Sequence, residues 1–280
     1  MMQRSPALGH GDTGYHVESL QRALVQAGHA IEVDGWFGDE TEAAVRAVQR
    51  EHGLVIDGLA GPKTREALGG RPDPRRLRQI DLVHAAERLG VELAAVMAVN
   101  EVESRGSGLY IGGPRGGQPV ILFERHIMRR RLIHHGVAPM PYQQRRPDLV
   151  NDKPGGYVGG PREHARLEAA ATLDASAATD HGAIEAASWG LFQIMGMHWQ
   201  RLGYDSANAW REAMATSEGD QLEAFVRFIE ADQGLLVALR RHDWREFARR
   251  YNGPAFERND YDTKLAAAYR RHTRQLEIAA

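Results

Sequence analysis

The sequence predicts a mainly α protein: a small three-helix domain at the N-terminus, then a large α-rich domain carrying one short β-hairpin. Three observations carry this reading. Apolar residues recur at helical spacing along most of the chain after residue 75. A Pro/Gly-dense break, Gly69-Gly-Arg-Pro-Asp-Pro74, separates that region from what precedes it. Before the break, a short motif occurs twice.

The repeat is Val33-Asp-Gly-Trp-Phe-Gly38, which returns as Ile56-Asp-Gly-Leu-Ala-Gly61 at an offset of 23 residues. Thr41, Ala44 and Val45 match Thr64, Ala67 and Leu68 at the same offset. Each Asp-Gly marks a turn. Each Thr precedes an apolar-periodic run, where its hydroxyl is expected to cap a helix start. Gly11-Asp-Thr-Gly14 opens an earlier run, with Val17, Leu20, Gln21 and Leu24 at helical spacing. Three short helices joined by turns are therefore expected within residues 1–69, with a linker at 70–74. The segment resembles the peptidoglycan-binding domain found on many cell-wall hydrolases. The resemblance rests on Gly11-Asp12, Val17, Leu20-Gln21, Leu24, Asp34-Gly35, Phe37-Gly38, Thr41, Ala44-Val45, Gln49 and Asp57-Gly58.

Composition narrows the function. A 42% hydrophobic, 26% charged chain of 280 residues is ordinary for a soluble globular protein of one or two domains. The formal net charge of −2 gives no basis for binding nucleic acid or an anionic membrane. The absence of cysteine excludes disulfides and thiolate metal sites. Residues 1–10 contain no apolar core of a secretory signal, and no stretch is apolar enough to span a bilayer. Synthesis as a soluble cytoplasmic protein, without membrane insertion and as a monomer, is the expectation.

Residues 75–280 are expected to form one unit. Helical patterns fall at 75–89, 91–104, 161–174, 181–187, 192–202, 206–215, 218–231, 233–241, 243–251 and 260–277. Leu109-Tyr-Ile111 and Val120-Ile-Leu-Phe123 flank Gly112-Gly-Pro-Arg-Gly-Gly117 and read as a β-hairpin. The Pro- and Gly-rich stretch 136–160 reads as a long loop of the kind that rims substrate sites.

Two carboxyls close the 91–104 pattern. On a wheel of about 100° per residue, Glu92, Asn100 and Glu103 share one side. Glu101 stacks instead on Ala98, Met97 and Ala94. Desolvation should therefore raise the pKa of Glu101 more than that of Glu103, suiting Glu101 to donate a proton. A cation such as Arg105 could instead pair with it.

Further blocks lie downstream. Ala187-Ser-Trp-Gly-Leu-Phe-Gln-Ile-Met-Gly196 resembles the Gly-Leu-Met-Gln-Ile signature of lysozyme-like lytic transglycosylases, with Phe192 in place of Met. Ala248-Arg-Arg-Tyr-Asn-Gly-Pro254 resembles their Ala-Tyr-Asn segment, and Glu103-Ser104 the Glu-Ser ending their catalytic helix. With Gly106-Ser-Gly108, Ile121-Leu-Phe-Glu-Arg-His126, Gln221-Leu-x-Ala-Phe225 and Trp244-x-x-Phe-Ala248, the ordered set resembles phage endolysin muramidases that carry an N-terminal peptidoglycan-binding domain.

That resemblance implies a lysozyme-like fold and cleavage of the β-1,4 bond between N-acetylmuramic acid and N-acetylglucosamine. It also implies synthesis in a host cytoplasm and action on the wall after release through the inner membrane. A glycosidic oxygen leaves poorly and must be protonated. The wheel favours Glu101 as that acid, whereas the Glu-Ser alignment favours Glu103. Ser188, Gln193, Tyr251 and Asn252 are the candidate substrate-binding residues. Trp189 is a core candidate that could also stack on a sugar, while Trp199, Trp210 and Trp244 read as core. No Asp follows Glu101 within the glycine-rich hairpin, and Glu124, Asp152 and Glu185 are distant second carboxylates. A single-acid mechanism is therefore expected, with water positioned by neutral groups. No cofactor or metal is expected, since the thirteen histidines form no recognised ligand spacing. A lytic transglycosylase and a non-catalytic wall-binding virion protein remain alternatives.

Overall fold

The computed structural model describes residues 7–104, 106–111, 115–174, 176–253 and 260–279. Arg105, residues 112–114 of the glycine-rich loop and Pro254 lie outside the described residues. In chain order the helices are α1 (Tyr15–Gln26), α2 (Asp39–Glu51), α3 (Pro62–Leu68), α4 (Gln79–Leu89), α5 (Leu93–Glu103), α6 (Arg125–His134) and α7 (Met140–Arg145). They continue as α8 (Arg162–Ala171), α9 (Ala177–Glu185), α10 (Ala207–Thr216), α11 (Glu218–Glu230), α12 (Gln233–Arg240), α13 (Trp244–Asn252) and α14 (Tyr261–Ala279). Strands β1 (Ile121–Phe123), β2 (Ala187–Trp189) and β3 (Ile194–Met195) form an antiparallel sheet in that order. No helix among the described residues is long and apolar enough to cross a membrane.

The N-terminal repeat folds the same way twice because a glutamine from the preceding helix clamps each Asp-Gly turn. Gln21 donates to Asp34 Oδ1 at 2.7 Å and accepts from Gly35 N at 2.9 Å. Gln49 donates to Asp57 Oδ1 at 2.7 Å and accepts from Gly58 N at 2.9 Å. Each aspartate also accepts the amide two residues on, from Trp36 at 2.9 Å and Leu59 at 2.8 Å. Gly35 and Gly58 sit at φ 76, a region L side chains rarely adopt, which explains the Asp-Gly pairs. Thr41 and Thr64 do not cap helices as expected. They lie inside α2 and α3, and their hydroxyls meet the clamping glutamines and the turn carbonyls of Trp36 and Leu59. Val17, Leu20, Leu24, Phe37, Val45 and Val48 fill the core between these helices.

The chain divides into two compact units, one of Met1–Val102 with Leu239–Ala280, the other of Glu103–Ala238. The Pro/Gly break at 69–74 is therefore a boundary of sequence pattern and not of compactness. Within the first unit, side chains bind across it. The buried Arg76 pairs with Glu66 at 3.0 Å, Gln79 accepts from Ile56 N at 3.0 Å, and Gln275 of α14 donates to Glu42 of α2 at 3.2 Å. Tyr269 of α14 packs on His242 and Trp244, with ring centroids 4.4 and 5.4 Å apart.

In the second unit the sheet departs from the expected hairpin. Residues 108–110 and 117–120 are joined by backbone hydrogen bonds, as a hairpin requires. The regular pairing of Ile121–Phe123, however, is with Ala187–Trp189, some sixty residues away in sequence. The pattern at 192–202 read as helix is β3 followed by a 3-10 turn at Gly196–His198. Gly196 in that turn packs closely: a Cβ there would lie 2.1 Å from the Ile184 carbonyl oxygen. The stretch 136–160 is not all loop, since α7 occupies part of it. Its far end is pinned by Glu163, 0% exposed, which accepts from Val158 N, Gly159 N and Phe123 N and pairs with Arg166 at 2.8 Å.

Two stability measurements test this fold. Asp57 is half-buried and burial pushes its carboxyl up, whereas Asp34 is exposed and its hydrogen bonds from Trp36 and Gln21 lower it. Gln49→Leu, which strips the less solvated aspartate, should destabilise the full chain by about 2–3 kcal/mol and Gln21→Leu by roughly 1 kcal/mol less. Equal losses in urea unfolding would remove the role given to burial. His198, packed edge-on to Phe228, is held at about 4, below its ordinary 6.5, by burial and then by Arg201 and Arg131. The unfolded imidazole takes up a proton in that window and the folded one does not. Stability should thus fall as pH drops from 6.5 towards 4, and His198→Gln should show a shallower fall in urea midpoints.

Candidate active site

Helix α5 is apolar on nearly every side. Ala94 through Asn100 are all buried, and Glu101, Val102 and Glu103 in the last turn are half-buried. Glu103 is its final residue, at the end of a helix that disfavours negative charge. The unit boundary runs between Val102 and Glu103, so the two candidate acids fall in different units.

The upward pKa shift that the wheel led us to expect for Glu101 does not occur. His272 Nε2 lies 2.8 Å from Glu101 Oε2, and the Arg271 guanidinium donates to Glu101 Oε1. Burial raises the Glu101 carboxyl, but the hydrogen bonds and charge of His272 and Arg271 outweigh it and leave the group below the usual carboxylate range. The partners sit about 170 residues downstream on α14, beyond the reach of helix periodicity. An open cleft of about 470 Å³ borders the pair, lined by Glu101, Val102, Tyr261, Lys264, Ala267 and Arg271.

After Glu103 the chain enters a pinned loop. Glu218 Oε1 accepts from Gly108 N at 2.8 Å and from Ser107 Oγ at 3.4 Å. Three residues on, Gln221 accepts from Leu191 N at 2.7 Å and donates to Gly108 O at 3.3 Å and Met214 O at 2.7 Å. One face of α11 therefore ties the Gly106-Ser-Gly108 block to the Trp189-Gly-Leu191 turn. A Cβ on Gly108 would lie 1.8 Å from Gln221 Oε1, so only glycine fits. The sequence reading had Gln221 only as part of a pattern and missed Glu218 altogether. Its signal was an acid and an amide at i, i+3 on the face that also carries Leu222 and Phe225.

Ser188 and Gln193 come together as the turn between β2 and β3 requires. Ser188 Oγ donates to Gln193 Oε1 at 3.0 Å, and Gln193 Nε2 donates to Gly190 O at 2.8 Å and Val120 O at 3.3 Å. Gln193 holds φ 53, an uncommon conformation for a non-glycine residue. Tyr251 and Asn252 end α13 in the other unit, and Tyr251 stacks on Phe247 at 6.0 Å.

The remaining candidates are engaged elsewhere. Tyr157 donates to Glu124 at 2.7 Å, and His126 lies 3.3 Å from the same carboxylate. Glu185, almost fully buried, receives Arg131 at 2.8 Å, His135 at 2.7 Å and Trp199 at 2.9 Å. Asp152 is exposed. Trp189 is buried, with its indole N–H on Ile184 O at 3.0 Å, and Trp210 and Trp244 are buried too.

Residues 92–273 match the family model described as N-acetylmuramidase. The chain belongs to the N-acetylmuramidase family, a family of glycoside hydrolases. Residues 13–68 of this muramidase match a putative peptidoglycan binding domain. The crystal structure of Burkholderia AP3 phage endolysin is similar along the whole molecule, with a TM-score of 0.87 at 49% identity, covering 97% of this chain and 100% of that one. The architecture is that of a modular endolysin. Other relatives share only a short stretch. A probable N-acetylmuramoyl-L-alanine amidase of Bacillus licheniformis is 44% identical over 64 residues, 22% of this chain and 18% of its own. The zinc D-Ala-D-Ala carboxypeptidase of Streptomyces albus G is 40% identical over 63 residues, 21% of this chain and 25% of its own. The muramidase thus spans a fifth to a quarter of these curated relatives, about the size of the wall-binding module.

The pinned loop makes a sharp contrast between two glycines. Gly108→Ala in the muramidase should cost about 2–3 kcal/mol by overpacking against Gln221. Gly106→Ala, at φ 78 with open space around it, should cost only about 1 kcal/mol of backbone strain. Urea unfolding of the two variants checks the order; a larger loss for Gly106→Ala would contradict the pinned geometry.

Proposed function

We propose that this muramidase is an endolysin that hydrolyses the β-1,4 bond between N-acetylmuramic acid and N-acetylglucosamine, with Glu103 as the general acid. One observation supports the choice above others: Arg271 and His272 hold the Glu101 carboxylate. A carboxylate paired that way stays ionised near neutral pH and has no proton to give. Glu103, two residues on, points about 200° away from it along α5. The assignment reverses the wheel-based preference for Glu101 and keeps the Glu-Ser alignment.

The reaction then runs with one carboxyl. Glu103 protonates the glycosidic oxygen as the bond breaks, and water attacks the anomeric carbon. Neutral groups orient that water, because Glu124 and Glu185 are committed to their own partners. Ser188, Gln193, Tyr251 and Asn252 are the residues proposed to bind the sugars. Residues 1–69 act as the wall-binding domain, 70–74 as its connection and 75–280 as the catalytic domain. A weak wall-binding module raises the local concentration of catalytic domain on an insoluble polymer. The protein acts as a monomer, reaching the wall after release through the inner membrane.

Product analysis on purified peptidoglycan tests this. Glu103→Gln should lower turnover by about 10²–10⁴-fold, the loss expected for a missing general acid, while Glu101→Gln stays active. Mass spectrometry should find reducing muramic ends. Lysis by Glu103→Gln would overturn the acid assignment. Ends carrying 1,6-anhydromuramic acid would replace hydrolysis by transglycosylation.

A further inference from the structure

Glu101 remains as a half-buried carboxylate outside the proposed chemistry, and its surroundings give it another task. The last turn of a helix has carbonyls without intrahelical partners and frays readily. Here that turn carries the proposed acid, whose direction has to hold within roughly 10–20° for proton transfer. Something outside α5 has to fix it.

α14 grips α5 at both ends. The Tyr269 hydroxyl donates to Glu92 at 2.5 Å, just before α5 begins. Arg271 and His272 take Glu101 in the last turn, with His272 at 2.8 Å. α14 is itself anchored, since Tyr269 packs on His242 and Trp244 while Leu265 and Ala268 are fully buried. His272 is 1% exposed, and its second ring nitrogen, Nδ1, has no hydrogen-bond partner among the described residues. Burying an imidazole with one nitrogen unsatisfied, beside a desolvated carboxylate, is a poor way to gain stability. An apolar pair of the same volume would serve better. What the charged pair provides is direction: two donors converge on the two oxygens of one carboxylate and leave it a single orientation.

We infer that Glu101, His272 and Arg271 form a clamp that orients the last turn of α5 and thereby aims Glu103, making Glu101 a positioning residue. The inference rests on Glu103 being the acid. Glu101→Leu removes the clamp, whereas Glu101→Gln keeps a group able to hydrogen-bond to both partners. Arg271→Met and Arg271→Lys form the matching pair on α14.

The test measures turnover and apparent KM of the full chain on purified peptidoglycan, with thermal midpoints, for these four variants and Glu103→Gln. Glu101→Leu and Arg271→Met should each lower kcat by about 10–100-fold, the scale set by a misplaced catalytic group, with apparent KM within about twofold. Glu101→Gln and Arg271→Lys should recover most of that loss. The double variant Glu101→Leu/Arg271→Met should be no slower than either single one, because both break the same clamp. Full activity per folded molecule in Glu101→Leu, with only a lowered thermal midpoint, would overturn the clamp and leave the Glu103 reading intact. Glu101→Gln as inactive as Glu101→Leu, beside an active Glu103→Gln, would overturn both.

Discussion

A half-buried carboxylate held between a guanidinium and an imidazole stays ionised near neutral pH, and the reading of this site follows from that constraint. Two glutamates close the same helix, two residues apart. Desolvation acts on Glu101 and would by itself make it a proton donor, but Arg271 and His272 reverse the sign. With Glu101 held in this way, the proposed acid is Glu103, the last residue of α5. Burial alone does not decide which carboxyl is an acid. What decides it is whether a cation shares the burial.

The same device recurs throughout the molecule in neutral and charged forms. Irregular backbone is held by buried polar side chains reaching from neighbouring helices. Gln21 and Gln49 clamp the two Asp-Gly turns. Glu163 gathers three backbone amides around β1 and the loop at 158–159. Glu218 and Gln221 fasten the loop after α5 to the turn at Gly190. A buried backbone N–H costs as much to leave unpaired as a lost hydrogen bond. These side chains therefore fix loops that regular secondary structure would leave free. They also explain the glycines beside them, since Gly108, Gly190 and Gly196 stand where any Cβ would strike Gln221 or the Ile184 carbonyl.

The modular design divides the work by physical requirement. A wall-binding module needs only a rigid, repeat-stabilised surface, which two glutamine-clamped turns provide in under seventy residues. The proposed catalysis asks for one carboxyl at a fixed angle, and α14, which holds Glu101, comes from the far end of the chain. The compact units reflect this return: the C-terminal helix belongs with the N-terminal segment, and the Pro/Gly break does not coincide with a boundary between the units.

The sequence by itself determined the helical character of the chain, the repeat and its turns, the family blocks and the pair of candidate acids. All of these rest on local periodicity or short motifs, which neighbouring residues specify. The tertiary structure alone decided the rest. Ile121–Phe123 pairs with a strand from the Ser188-Trp189 block, and Ile194-Met195, read as part of a helix, pairs with that same strand. Glu218 was invisible because a single acid on a helix face looks the same whether solvent or the Gly108 amide and Ser107 hydroxyl meet it. The direction of the Glu101 pKa, on which the proposal of Glu103 rests, turned on residues 271 and 272. A helix wheel reports which side of a helix is buried, and only the fold reports what is buried with it.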